Sequence, residues 1–159
     1  MKSTITEDDL IKETLSSAKT IAMVGVSSIK KEESSNIKRR PSIIVMKYLQ
    51  EFGYRVIPVN PFSAGKKIYG ENIIAKLENV NLPIDIVDVF RPSNEAPALA
   101  EQAVKIGVKV FWLQYGIQSE EAKKIVKSKN ITYISNKCIK QEYQRLFLKV
   151  SPVFPALKN

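Results

Sequence analysis

Thr20-Ile21-Ala22-Met23-Val24-Gly25-Val26 is an almost unbroken apolar run that closes on a glycine. A strand with one wet face alternates apolar and polar residues, whereas a strand buried on both faces does not. The run therefore reads as a strand of a parallel sheet covered on both sides. Upstream, Thr6 to Lys19 reads as an amphipathic helix. Thr6 and Asp9 form a capping-box-like start, and Leu10, Ile11, Leu15 and Ala18 make one apolar stripe.

Downstream the pattern repeats. Pro41 to Phe52 reads as a helix with Val45, Tyr48, Leu49 and Phe52 on one face, ended by Gly53. Tyr54 to Val59 and Ile84 to Val89 read as strands. Ser93 is expected to cap a helix carrying Ala96, Leu99, Ala100, Ala103 and Val104, which Gly107 ends. Val108 to Leu113 is the fourth strand. Ser119 opens a helix with Ala122, Ile125 and Val126, and after Asn130 the fifth strand runs from Ile131 to Ser135. The link from Asn60 to Pro83 is weakly periodic and reads as a loop with a short helix from Ile73 to Asn79. Strands alternating with helices imply βαβ units, hence an α/β fold with a parallel five-stranded sheet. With 159 residues and no repeat or linker, a single domain is expected: an N-terminal helix over 1–19, the domain proper over 20–147 and a tail over 148–159.

Composition narrows the chemistry. The apolar fraction of 44% and charged fraction of 26% fit an ordinary globular protein. No apolar run approaches the ~18 residues of a membrane span, and Met1 to Lys19 lacks a signal-peptide core. Cytoplasmic residence is the expectation. Histidine is absent, which removes Ser-His and Cys-His pairs, His-ligated zinc and a phosphohistidine from this chain. A single cysteine, Cys138, removes internal disulfides and CxxC sites, and it reads as a small buried hydrophobe. The net charge of +9 invites a nucleic-acid reading. Against it, the basic residues are scattered, the one notable cluster being Lys30, Lys31, Lys38, Arg39 and Arg40.

In an open parallel sheet, ligands bind beyond the strand carboxyl ends where strand order reverses. The residues there are Gly25 to Ser28, Asn60-Pro61, Phe90-Arg91-Pro92, Gln114-Tyr115-Gly116 and Asn136 to Lys140. Gly25 permits close backbone approach, the helix opening at Pro41 offers unpaired N–H groups, and Arg39 and Arg40 precede it. The glycine fingerprint of dinucleotide binding is missing, with Ser27 and Lys30 at the later positions. The second strand ends in Val59-Asn60-Pro61, without an acid for a ribose hydroxyl. Both weigh against NAD, while Lys66 and Lys67 suit a ligand with an extra phosphate. Asp85 and Asp88, three apart on one strand, should face opposite ways and not share a proton. Phe111 and Trp112 read as core, and Glu142, Tyr143 and Arg145 as a docking segment.

The segments VGVSS, RRPSIIVMKYLQEFGYRVIPVNP, IDIVDVFR, VFWLQYGI and NKCIKQEYQRL resemble the CoA-binding-domain protein family of small bacterial proteins. That family is a stand-alone relative of the CoA-binding domain of succinyl-CoA synthetase. The resemblance runs from about Thr20 to Leu146. It implies a Rossmann-like, three-layer, doubly wound sheet with coenzyme A at the strand ends. By position, it implies that Gly25, Val26 and Ser27 meet the phosphates, and that Arg40, Pro41 and Ser42 make phosphate and adenosine contacts. It puts Asn60, Pro61 and a lysine near Lys66 on the adenosine side. Val89, Phe90 and Arg91 would line the adenine or pantetheine groove, and Gln114 with Gly116 the far wall. The chain departs from the family in its longer, more charged loop Ile29 to Lys38 and in Ile139 after the cysteine. The expectation is a binding module for CoA or acyl-CoA without its own catalytic set. An NAD(P)- or other nucleotide-dependent enzyme and a basic nucleic-acid binder remain as alternatives.

Overall fold

The computed structural model describes residues 5–26 and 41–149. In chain order the elements are α1 (Glu7–Ser17), β1 (Thr20–Val24), α2 (Pro41–Glu51), β2 (Arg55–Val59), β3 (Lys67–Ile68) and β4 (Glu71–Asn72). After a 3-10 turn at Leu77–Asn79 come β5 (Ile86–Val89), a second 3-10 turn at Ser93–Glu95, and α3 (Ala96–Ile106). The chain continues through β6 (Val110–Leu113), α4 (Glu120–Lys127), β7 (Thr132–Ile134) and α5 (Ile139–Tyr143), closing on a π-helical turn at Gln144–Leu148.

The main sheet is parallel throughout, in the order β2-β1-β5-β6-β7. Numbered by their own succession, its strands run 2-1-3-4-5, a doubly wound order whose reversal lies between β1 and β5. The continuous apolar runs are explained by what covers each face. Ile21, Met23, Ile86, Val110, Trp112 and Ile134 point to one side, where α1, α2 and α5 supply Ile11, Leu15, Ile43, Met46, Leu49 and Ile139. Ala22, Val24, Val87, Val89, Phe111 and Leu113 point to the other, against α3 and α4. Ala96, Ala100 and Ala103 are fully buried, so α3 lies close on the sheet. The result is a three-layer, Rossmann-like α/β domain.

Local signals acted where expected. Thr6 and Asp9 form a reciprocal capping box, Ser119 accepts from the Ala122 N–H, and Gly107 ends α3 in the left-handed region. Three expectations need correction. Ser93 caps no α-helix; its hydroxyl instead accepts the Gln118 N–H across the loops. The helix expected over Ile73 to Asn79 is only the 3-10 turn Leu77–Asn79. Ahead of it lies an unforeseen hairpin, in which Lys67 pairs with Asn72 and Ile68 with Glu71 around Tyr69-Gly70. That two-residue turn needs positive φ twice, and Tyr69 supplies it at 49° beside Gly70 at 84°. An aromatic residue there carries little turn signal in sequence.

Candidate functional site

A cleft of about 490 Å³ opens beyond the carboxyl ends of β1 and β2, on the α3 side of the sheet. That is the size of a small-molecule site. Its floor is Val24, Gly25 and Val59, one wall is Asn60-Pro61-Phe62 with the segment around Leu77, and α3 forms the opposite wall.

Gly25 holds the floor together. Its N–H donates to the Val59 carbonyl at 2.8 Å, and its φ of +110° disfavours any side chain. A Cβ at this position would lie 2.7 Å from the Phe90 carbonyl oxygen and 3.2 Å from Arg91 Cδ. Only glycine lets the loops after β1 and β5 meet. Arg91 enters the cleft from that second loop. Its Nε and Nη2 donate to the two Glu95 carboxylate oxygens at 3.0 and 2.7 Å, a bidentate pair between residues four apart. The Arg91 hydrogen bonds hold the Glu95 carboxyl below its ordinary range.

Asn60 is buried at the end of β2. Its side-chain oxygen accepts the Phe62 N–H at 2.9 Å, folding the chain so that Phe62, 88% exposed, stands at the cleft rim. Beside it the chain runs as an added half-strand. Ile74 bridges Val59 in parallel, its N–H donates to the Pro58 carbonyl, and its own carbonyl accepts the Asn60 N–H. This brings Ala75 and Lys76 into the cleft wall.

Of the residues proposed from sequence, Gly25, Asn60, Pro61 and Arg91 come together in the cleft. Ser27 and Arg40, with the loop Ile29 to Lys38, lie outside the described residues. Val26 and Ser42 are buried on the α2 side, and Pro41 is exposed at the start of α2. Val89 is fully buried in the sheet, and Phe90 packs half-buried on the α2 side. Lys66 is exposed in the connection after β2, where its carbonyl accepts the Ile73 N–H, and it does not line the cleft. Gly116 donates its N–H to the Asn136 side chain at 2.7 Å.

Gln114 belongs to a different assembly. Its Nε2 donates to Asp88 Oδ1 and its Oε1 accepts the Ile139 N–H at 3.3 Å, which ties β5, β6 and the start of α5 together. Asp88 is fully buried between Met23 and Trp112 in the sheet register, and among the described residues Asp88 Oδ2 has no partner. Burial pushes this carboxyl up to about 7, against the pull of the Gln114 hydrogen bond. Asp85 serves separately, accepting the Lys19 and Thr20 N–H groups. Cys138 is half-buried, and burial pushes its thiol up. Among the described residues no cluster of three or more His, Cys, Asp or Glu could hold a metal, and no helix could cross a membrane.

Sequence reasoning missed Phe62, Lys76 and Glu95. Glu95 alone left a sign, its spacing of four from Arg91.

The model of the CoA binding domain matches residues 19–144, a span that contains every wall of this cleft. The chain belongs to the CoA binding domain family. Within that family it is similar to the uncharacterized protein YneT of Bacillus subtilis (strain 168), 39% identical over 82% of this chain and 89% of the relative. Among solved structures it is similar to the cell-free ID.343 protein of Thermus thermophilus, at 37% identity and a TM-score of 0.79, covering 89% of this chain and 100% of that one. A hypothetical protein of Pyrococcus horikoshii OT3 follows at 34% identity and 0.77, covering 92% and 99%. In this CoA binding domain the cleft spans the carboxyl ends of β2 and β1 and reaches the strand-order reversal through Arg91, in the loop after β5.

Proposed function

We propose that this protein binds coenzyme A or an acyl-CoA, with the nucleotide end of the cofactor in the cleft above β1 and β2. The observation that carries this is the meeting of Gly25, Arg91 and Asn60 around one hollow in a chain of the CoA binding domain family. The hollow fits a nucleotide chemically. Leu77, Leu99 and Phe62 give apolar surface for a base, while the Gly25 backbone and Arg91 offer close approach and positive charge for phosphate. Asn60 and Pro61 would then lie on the adenosine side.

The reading is of a binding module. Asp88 and Cys138, the chemically notable groups, lie on the opposite side of the sheet from the cleft, in or against the α2-side core. Titration calorimetry of the full chain with CoA, dephospho-CoA, ADP and NAD tests the reading. Tight heats for CoA with progressively weaker ones for the others are expected. Equal, negligible heats for all four would sink it.

A further inference from the structure

Among the described residues, two cations line the cleft, in different situations. Arg91 is committed to Glu95 through two hydrogen bonds. Lys76 is exposed and, among the described residues, makes no ion pair or side-chain hydrogen bond. Glu78, the acid two residues on, faces Lys105 instead, at 4.0 Å. Among the described residues, Lys76 is thus the uncommitted cation lining the cleft.

Its place is set by backbone and core. The bridge of Ile74 to Val59 carries the chain along the outer edge of β2, away from β1. Lys76 follows in extended conformation, with φ −139° and ψ 153°, and the fully buried Leu77 anchors the next turn against α3. Gly25 and Arg91 follow β1 and β5, nearer the centre of the sheet. A nucleotide whose phosphate chain starts at Gly25 and Arg91 runs its sugar toward β2. In doubly wound folds, an acid at the end of the second strand takes free ribose hydroxyls, whereas a cation there accommodates a ribose phosphate. At that strand end the cleft presents Asn60 and Lys76, and the nearby acid, Glu78, is turned to Lys105.

We infer that Lys76 reads a phosphate on the ribose of an adenine nucleotide, and that Lys66 does not. The inference rests on the cleft being the nucleotide site proposed above. A 3′-phosphate, as in CoA, and a 2′-phosphate, as in NADP, share this chemistry, so each is tested against its unphosphorylated counterpart.

The experiment is titration of the full-length wild type, Lys76→Gln and Lys66→Gln with CoA, dephospho-CoA, NADP and NAD. Far-UV circular dichroism verifies that these surface variants keep their fold. Lys76→Gln should lower the preference for CoA over dephospho-CoA by about tenfold, the scale of one charge-assisted phosphate contact. Lys66→Gln should leave that preference within twofold of wild type. If wild type binds CoA but Lys76→Gln keeps the full preference, or if Lys66→Gln loses it, the inference is overturned and CoA binding stands. If the NADP preference responds while CoA gives no heat, Lys76 keeps its role and the CoA reading fails. No binding of any of the four overturns both.

Discussion

Arg91 packs directly over the face of Gly25 where a side chain would begin: its Cδ lies 3.2 Å from the position of a Cβ there, and the Phe90 carbonyl oxygen lies 2.7 Å from it. The loops after β1 and β5 therefore touch at Gly25. Gly25→Ala must push the loop after β5 outward as well as strain a φ of +110°. A loss of about 2–4 kcal/mol in denaturant stability is expected from the two costs together. Unfolding within 0.5 kcal/mol of wild type would show that the two loops do not meet.

The same arginine is held away from a ligand by its neighbour. Glu95 is ionised in the folded protein, because Arg91 holds its carboxyl below the usual range. It would both compete for the guanidinium and repel a phosphate. Glu95→Gln should tighten CoA binding several-fold at low salt and less so at high salt, since the removed repulsion is screened. Arg91→Ala should weaken it. Calorimetry at two ionic strengths reads both effects, and weaker binding by Glu95→Gln would mean that the ion pair itself forms the site.

Asp88 makes stability depend on pH. Its carboxyl is pushed up to about 7 in the fold, from an ordinary value of 3.8, by burial. Between these values the folded chain holds a proton that the unfolded chain has lost, so stability falls as pH rises. The slope approaches about 1.4 kcal/mol per pH unit for one group. Asp88→Asn cannot ionise and should lose this part of the slope. Denaturant melts of both proteins from pH 5 to pH 8 measure it; parallel curves would contradict a buried, protonated Asp88.

Tyr54 fastens α1 to the domain. Its buried hydroxyl donates to the Leu15 carbonyl at 2.5 Å, in the last turn of α1, where no helical partner remains. Tyr54→Phe should cost about 1–2 kcal/mol. The phenol, pushed up to about 12 chiefly by burial, should titrate last in an alkaline absorbance scan. Arg145 secures the same helix through Asp8, its Nη1 and Nη2 donating to the carboxylate at 3.0 and 2.8 Å.

How far the site was legible varies residue by residue. Gly25 stood out because a glycine closing an apolar run has few other uses. Asn60 and Pro61 stood out because they follow a strand. Lys66 and Lys76 look alike in sequence, and what separates them is the hairpin of β3 and β4, which turns the chain back so that Ile74 rejoins β2. Gln114 occupies a strand end. The alternation of its strand points it to the α2 side, and only the fold shows that it bonds there to Asp88.

The sequence by itself determined the succession of the five main-sheet strands, the two covered faces of that sheet and the helix caps at Thr6 and Ser119. All of these follow from the spacing of apolar residues and from hydrogen bonds spanning three or four positions. Tertiary structure alone decided that Lys76 rather than Lys66 lines the cleft, that Arg91 is already paired, and that Asp88 is buried, with one oxygen unpartnered among the described residues. Those depend on distances between segments far apart in the chain, which periodicity does not encode.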